Sequence, residues 1–265
     1  MMSSQPPPAP AAQRTAEGVR RMFDRVAPRY DLANSVFSLG QDRGWRQAAA
    51  RATRLAGGEV AVDVACGTGA LTRELAAAAP AALVVGFDFS REMLLRARSA
   101  GGGPSAPGGG PSAPTGRGTP VLPVPPRPSI PYAVGDALQL PLRDGSVDLV
   151  TIAFGLRNLP EPGQGLLELR RVLRPGGRLV VCEFSQPVVP LLRGVYRRYL
   201  TRLMPVAARR LTSDPEAYQY LARSIGAWPD QPGLAAWMQQ AGFTGVAWRD
   251  LTGGIVALHR GMAGP

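Results

Sequence analysis

Asp63-Val64-Ala65-Cys66-Gly67-Thr68-Gly69 connects a valine-rich apolar run, residues 59–65, to a helical pattern, residues 71–79. A short apolar run of this kind predicts a buried strand. Gly67 and Gly69 allow a sharp turn and a close backbone approach to a ligand, and the N-terminus of a helix follows directly. The stretch does not match the G-x-G-x-x-G dinucleotide fingerprint, because no third glycine follows. It therefore indicates a ligand site without naming the ligand.

Strand and helix patterns alternate on both sides of this stretch. Continuous apolar strands in such an alternation predict a mostly parallel sheet with helices on both faces, and ligands bind at the carboxyl ends of its strands. The predicted strands are residues 59–65, 82–87, 131–134, 147–154, 178–184, 246–251 and 254–259, and the predicted helical segments are residues 19–26, 42–55, 71–79, 91–99, 166–173, 188–226 and 234–241.

Two segments of low complexity interrupt the 265-residue chain. Residues 1–17 and 99–131 are rich in Pro, Gly, Ser and Ala, and the second contains 8 glycines and 10 prolines. Such compositions do not supply a packed core. We therefore predict a disordered tail over residues 1–17 and a single domain over 18–262, interrupted by an insertion at 99–131. The hydrophobic content of 45% excludes disorder throughout.

The composition excludes several classes of protein. Two cysteines and one histidine are too few for a disulfide framework or a Cys/His zinc cluster. No apolar run of about 18 residues predicts a membrane-spanning helix, and the N-terminus lacks the apolar core of a secretory signal. The expected compartment is the cytoplasm. The net charge of +11, supplied entirely by arginine among the basic residues, leaves nucleic acid, anionic lipid and an anionic cofactor open as partners.

Two carboxylates follow the next two strands. Asp88 ends the second strand, where it can accept hydrogen bonds from both hydroxyls of a ribose. Asp136 follows the third strand, and with the backbone N–H of Ala137 it can bind the edge of an adenine. Together with the glycine turn, these residues resemble the S-adenosylmethionine site of class I methyltransferases. That resemblance implies a Rossmann-like α/β fold with an antiparallel C-terminal strand.

The same resemblance implies a role for each residue of the predicted cofactor site. Gly67, Thr68 and Gly69 hold the methionine part, and Asp63 orders the glycine loop. Asp88 binds the ribose, while Asp136 and Ala137 contact the adenine.

Four separated motifs resemble the UbiE/MenG family of quinone C-methyltransferases. The resemblance covers residues 19–260 except the insertion, and the motifs stand in the family's order. It implies a prenylated quinol as the substrate and S-adenosylmethionine as the cofactor. The motifs are residues 22–31 (MFDRVAPRYD) with Asn34, Ser38, Gly40, Arg43 and Trp45, residues 153–158 (AFGLRN), residues 171–185, and residues 251–259 (LTGGIVALH).

Three residues depart from the family pattern. Ala33 stands where many members have Met, Asp42 where many have His, and Ala153 where a serine usually lies near the cofactor. Residues 40–45 resemble the actinobacterial branch, which makes menaquinone, and this favours demethylmenaquinone as the acceptor. Alanine has no hydroxyl, so a cofactor contact through residue 153 is not expected.

The chemistry requires an electron-rich ring carbon to attack a sulfonium methyl group. Deprotonation of a quinol hydroxyl supplies that carbon, and the protein must position both reactants and stabilise phenolate-like charge without a metal. The resemblance places Arg157 and Asn158 beside the methyl group. Arg157 would stabilise charge or polarise a water, or else form a structural ion pair, and Asn158 would orient the quinol oxygen or that water. Tyr30 could close the site, and His259 is expected to be structural.

The region from Gln186 to Ser213 contains six arginines and no acidic residue. Apolar residues recur there at helical spacing, which predicts a basic amphipathic helix. This helix would cover an isoprenoid tail and contact a membrane surface transiently, or it would be an ordinary surface helix. A peripheral position at the inner face of the plasma membrane and a homodimer stay open.

The sequence leaves three alternative functions. A nucleic-acid methyltransferase would fit the positive charge, but the fourth strand lacks an Asn/Asp-Pro-Pro-aromatic motif and there is no Pro-Cys nucleophile or RNA-binding module, so no nucleic-acid partner is expected. A non-catalytic scaffold is disfavoured by the intact glycine loop. The third alternative is methylation of a prenylated benzoquinol or another small aromatic.

Overall fold

The structure is a computed structural model of the chain and describes residues 16–27, 35, 38–100, 129–203 and 215–264. The tail before residue 16, Tyr30 and residues 101–128 lie outside the described residues. Predictions about them stay predictions.

Strands and helices alternate along the described chain. Three short turns interrupt the pattern: a 3-10 turn at Leu156–Asn158, a π-helical turn at Tyr199–Leu203 and a 3-10 turn at Thr252–Gly254. The strands are β1 (Val60–Val64), β2 (Leu83–Asp88), β3 (Tyr132–Val134), β4 (Val147–Ala153), β5 (Leu173–Phe184), β6 (Phe243–Leu251) and β7 (Val256–Ala263). The helices are α1 (Ala16–Val26), α2 (Gln41–Thr53), α3 (Ala70–Ala78), α4 (Arg91–Ala100), α5 (Pro162–Val172), α6 (Pro190–Arg198), α7 (Pro215–Gly226) and α8 (Gln231–Gln240).

In the described part of the chain, seven strands form one sheet in the order β3-β2-β1-β4-β5-β7-β6. The pairs among the first five strands are parallel, and β7 pairs antiparallel with both β5 and β6. The predicted fold, with its antiparallel C-terminal strand, is confirmed. The strand order reverses between β1 and β4, and the carboxyl ends of strands at such a switch point form the ligand crevice of an open α/β sheet.

The two faces of the sheet bury separate apolar layers. Side chains alternate between faces along a strand, so Val62 of β1 packs with Leu166 of α5, whereas the neighbouring Ala61 belongs to the layer that contains Leu75 of α3. Helices α5 and α8 cover one face, and α2 and α3 cover the other. Both faces are therefore dry, as the continuous apolar strands predict.

Several boundaries differ from the sequence-based predictions. Strand β5 begins at Leu173 rather than at residue 178, and the pairing skips from Val147–Leu173 to Leu149–Arg178, so the Arg-Pro-Gly-Gly segment bulges within the strand. The long helical segment is interrupted by the π-helical turn after α6. Helices α1 and α4 extend into the segments assigned to the tail and the insertion.

Asp63 connects the central strands to the helix after the glycine loop. Its side chain is buried, and its two carboxylate oxygens accept hydrogen bonds from Thr72 Oγ1 of α3 and Thr151 Oγ1 of β4, both at 2.7 Å. Burial raises the pKa of Asp63 to about 6, and the two threonine hydroxyls oppose that rise. Asp63 therefore fixes the start of α3 from beneath the loop.

This burial predicts a specific pH dependence of stability. Because the folded-state pKa of Asp63 lies above its unfolded value, the folded protein binds the proton more tightly, and the unfolding free energy falls as pH rises from about 4 to about 6. In Asp63→Asn this contribution is absent, so the unfolding free energy should fall by up to about 1.4 kcal/mol less per pH unit than in the wild type. Denaturant unfolding at several pH values measures it. The exposed Glu161→Gln should keep the wild-type slope, and an unchanged slope in Asp63→Asn would contradict the assignment.

Candidate active site

The glycine loop between β1 and α3 has a left-handed backbone. Gly67 and Gly69 have φ of 56° and 75°, and Ala65 has φ of 52°. A side chain at Gly69 would also collide with the hydroxyl of Tyr132 on β3. Glycine is therefore required at position 69 by both backbone and space.

Asp88 fixes the loop from the end of β2. Its Oδ2 accepts a hydrogen bond from the Gly67 backbone N–H, and its Oδ1 accepts one from the Ser90 N–H, both at 2.8 Å. The side chain is buried, and burial raises the pKa of Asp88 to about 6. Each oxygen retains a second lone pair, so the carboxylate can order the loop and still accept hydrogen bonds from a ligand.

A cleft of about 740 Å³, including its open mouth, lies at the carboxyl ends of β1, β2, β3 and β4. Asp136 is exposed there, and its Oδ1 accepts a hydrogen bond from the Leu138 N–H at 2.9 Å. Of the predicted site residues, Gly67, Asp88, Asp136, Ala137 and Asn158 line the cleft. Asp63, Thr68, Gly69 and Arg157 lie outside its lining.

Helix α1 covers this cleft. Val19 and Phe23 line it, and Phe23 packs edge-on against Phe89 with ring centroids 6.4 Å apart. Asp24 accepts a hydrogen bond from the Ser90 hydroxyl at 2.6 Å. The sequence predicted a helix here but assigned it no site residue.

The turn after β4 holds Arg157 and Asn158 through one backbone oxygen. The Phe154 carbonyl accepts a hydrogen bond from Arg157 Nη1 at 2.6 Å and another from Asn158 Nδ2 at 3.0 Å. Phe154 itself has a left-handed φ of 57°. The two polar side chains thus secure a turn that is unfavourable for a bulky residue.

Arg157 forms a buried ion pair with Glu183 of β5. Nη1 lies 2.8 Å from Oε1, and the two side chains are 6% and 1% exposed. The Arg157 backbone N–H also donates to Oε2 at 3.4 Å. Burial raises the pKa of Glu183, and the guanidinium opposes that rise. The structural ion pair, one of the two readings of Arg157, is therefore present. Glu183 lies in the motif over residues 171–185, but its partner Arg157 is 26 residues away, so the motif alone does not pair them.

A second, larger cavity lies on the other side of Phe154. Its volume is about 2290 Å³ including its open mouth, and Arg157 lines it together with Asp42. Phe154 lines both this cavity and the cleft. Arg157 and Asn158, which are adjacent in the turn, therefore line different cavities.

Three aromatic rings form one wall of this second cavity. Phe154 lies 5.1 Å from Phe184 and 5.9 Å from Trp45 between ring centroids. The Trp45 indole N–H donates to Thr252 Oγ1 at 2.9 Å, and the Arg157 guanidinium carbon lies 5.0 Å from the Phe184 ring centroid. An aromatic wall with a cation stacked on it suits a flat, electron-rich ring.

The rest of this cavity is mainly apolar and basic. Helix α6 and the π-helical turn contribute one side, and α7 contributes Leu221. The apolar members are Leu39, Leu191, Leu192, Val195, Tyr196, Tyr199, Leu221 and Ile255, and the basic ones are Arg46, Arg157, Arg197, Arg198 and Arg202. Ser38, Gln41, Asp42, Thr201 and Thr252 add polar and acidic groups.

His259 is buried on β7, outside the lining of both cavities. Its Nε2 lies 2.9 Å from the Gln231 carbonyl oxygen, and its ring stacks on Trp248. Burial lowers the pKa of His259. This environment agrees with the expected structural role.

The strand order, the glycine loop and the acidic cleft at the switch point define the fold of class I, S-adenosylmethionine-dependent methyltransferases. Two solved structures share it. Human N-acetylserotonin methyltransferase, in complex with S-adenosylmethionine, matches with a TM-score of 0.61 over 96% of this chain and 60% of that one, at 17% identity. An S-adenosylmethionine-dependent methyltransferase from Thermotoga maritima matches with a TM-score of 0.59 over 92% and 99%, at 18% identity.

Sequence comparison identifies the family. The ubiE/COQ5 methyltransferase family matches residues 11–101 and 125–263, and a general methyltransferase domain matches residues 62–181. Curated demethylmenaquinone methyltransferases from Mycobacterium marinum and Corynebacterium kroppenstedtii are 47% and 45% identical; the alignments cover 95% and 91% of this chain and 96% and 92% of theirs. The chain belongs to the ubiE/COQ5 methyltransferase family and is a methyltransferase. The resemblance predicted from the four motifs is confirmed.

The cleft residues fit S-adenosylmethionine. Phe89, Met93, Ala137 and Leu159 line the cleft with apolar atoms suited to an adenine, and Asp88, which also lines it, offers a carboxylate suited to a ribose. The left-handed glycine loop leaves room for a close approach of the methionine part. When bound, the cofactor supplies an electrophilic methyl group.

Replacing Asp88 should weaken cofactor binding without unfolding the chain. Asp88→Asn keeps the side-chain shape but replaces one accepting oxygen with an NH2 donor that would face the Gly67 or Ser90 N–H, so we expect the Kd for S-adenosylmethionine to rise roughly 10- to 100-fold. Isothermal titration calorimetry measures the Kd. Asp144→Asn, whose side chain is 81% exposed in the loop before β4, is the matched control and should bind as the wild type does. Unchanged binding by Asp88→Asn would remove Asp88 from the cofactor site.

Proposed function

We propose that this methyltransferase transfers the methyl group of S-adenosylmethionine to a ring carbon of reduced demethylmenaquinone, giving menaquinone in the last step of its synthesis. The observation that carries the proposal is the pair of chambers that meet at Phe154. One is lined by residues predicted to bind the cofactor. The other has an aromatic wall and apolar side chains, and it is large enough for a ring with a prenyl tail. The names of the 45–47% identical relatives support the same acceptor.

Arg157 and Asn158 are the proposed catalytic residues. The Arg157 guanidinium remains protonated, so it stabilises negative charge on the quinol oxygen as the hydroxyl proton leaves, or polarises a water that takes the proton. Asn158 lines the cofactor cleft and orients that oxygen or water beside the methyl group. The aromatic wall positions the ring.

Glu183 supplies the counter-charge that allows Arg157 to be buried. A buried guanidinium without a counter-charge would be strongly destabilising. The Glu183 carboxylate supplies that charge from the side of β5, and it also holds the Arg157 backbone N–H.

The functional test is transfer of labelled methyl from S-adenosylmethionine to demethylmenaquinone in detergent. The reduced quinol should be methylated and the electron-poor oxidised quinone should not. Arg157→Ala alone would leave Glu183 buried without its cation. The variant to assay beside the wild type is therefore the double variant Arg157→Met, Glu183→Gln. Its kcat should fall at least about 100-fold, which is the loss seen when one donor that stabilises transition-state charge is removed. It should still bind the cofactor as the wild type does. Transfer to RNA but to no prenylated quinol would overturn the proposal.

We also propose that α6 contacts a membrane surface where the tail enters. Val188 and Val189 are about half exposed, Leu191 is 80% exposed and Val195 is 59% exposed, beside the arginines of the cavity rim. Exposed apolar side chains next to cations suit the surface of an anionic bilayer. No helix in the described ranges is long and apolar enough to cross a membrane.

Vesicle binding tests this surface. Leu191→Glu combined with Val195→Glu should weaken binding to phosphatidylglycerol vesicles at least about 10-fold, because apolar contact is lost and negative charge is added. Co-sedimentation with the vesicles measures it. Leu83→Glu is the control, since Leu83 is also exposed but lies at the amino end of β2, whereas the cleft lies at the carboxyl ends of the strands. Equal losses in both proteins, or none, would contradict the proposed contact.

A further inference from the structure

Tyr220 of α7 contacts Asn158 in the turn after β4, although the two residues are 62 positions apart in the chain. Its hydroxyl donates a hydrogen bond to Asn158 Oδ1 at 2.9 Å, and its side chain is buried. Asn158 Nδ2 donates to the Phe154 carbonyl at 3.0 Å. The Asn158 amide is therefore held at both ends.

The two contacts fix the orientation of this amide. A backbone carbonyl only accepts hydrogen bonds, so the Asn158 atom that faces the Phe154 oxygen must be Nδ2. Oδ1 then faces Tyr220, whose hydroxyl must be the donor. One N–H of the amide remains available to a ligand in the cleft that Asn158 lines.

Helix α7 also builds the other chamber. Leu221, next to Tyr220, lines the large cavity, and Ile225 packs in the cluster that contains Tyr196 and Leu200. The helix that forms part of the acceptor cavity is thus the helix that holds the catalytic amide.

We propose that Tyr220 is a positioning residue for methyl transfer. It holds Asn158 so that the remaining N–H donates to the quinol oxygen, and it thereby couples the packing of the acceptor cavity to the geometry of the reacting centre. This inference rests on the proposed function, and Tyr220 acts through Asn158 rather than on the substrate.

The test is Tyr220→Phe, which removes only the hydroxyl. We expect kcat for the quinol to fall roughly 10-fold, the rate equivalent of one lost hydrogen bond, while the KM and Kd for S-adenosylmethionine change less than 2-fold. Ser224→Ala is the matched control: it removes a hydroxyl that bonds to the Leu221 carbonyl within the same helix, and it should keep the wild-type kcat.

A double-mutant cycle with Asn158→Ala separates positioning from a structural role. If Tyr220 acts through Asn158, Tyr220→Phe should cost less than 2-fold in kcat when Asn158 is already alanine. An equal cost in both backgrounds, or no cost in the otherwise wild-type protein, would overturn the role of Tyr220 alone. Absence of quinol methylation by the wild type would instead overturn the proposed function, and this inference with it.

Discussion

The carbonyl oxygen of Phe154 organises the site. It accepts hydrogen bonds from both Arg157 and Asn158, on a residue whose left-handed φ of 57° is unfavourable for a bulky side chain. Such a conformation costs of the order of 1–3 kcal/mol and persists where its surroundings over-determine it. The turn separates its two polar residues, since Arg157 lines the large cavity and Asn158 lines the cleft.

Buried charge is the second constraint around this turn. Asp63, Asp88 and Glu183 are all buried near the carboxyl ends of β1, β2 and β5, and burial raises the pKa of each. Their donors differ: Asp63 accepts from two threonine hydroxyls, Asp88 from two backbone N–H groups, and Glu183 from a guanidinium together with two backbone N–H groups. The three carboxylates therefore act differently: Asp63 fixes the start of α3, Asp88 orders the glycine loop, and Glu183 neutralises the charge of Arg157.

The residues that sequence could predict are those whose position along the chain implies their place in the fold. Asp88 and Asp136 follow apolar strands, and strand ends of a parallel sheet share one edge, so both reach the cleft. Glu183 and Tyr220 could not be assigned in this way. Their partners are 26 and 62 residues away, and only the packing of β5 and α7 brings them to the turn.

The differences in the predicted elements have similar physical causes. Pro175-Gly176-Gly177 correctly predicts the end of α5, but the chain re-enters the sheet at Leu173 before these residues, because pairing with Val147 satisfies the backbone there. The role expected for Asp63, which is to order the glycine loop, stays a prediction. The carboxylate lies beneath the loop and binds threonines that no local pattern singles out.

The most direct measurement is a crystal structure with S-adenosylhomocysteine and a short-tailed reduced demethylmenaquinone analogue. If the two cavities hold the cofactor and the acceptor, the nucleoside will lie at Asp88 and the naphthoquinol ring against Phe154 and Phe184. A ring oxygen will then lie within hydrogen-bond distance of Arg157 or Asn158, and the tail will run along α6. A ring bound away from the Phe154 turn, with the large cavity empty, would contradict this arrangement.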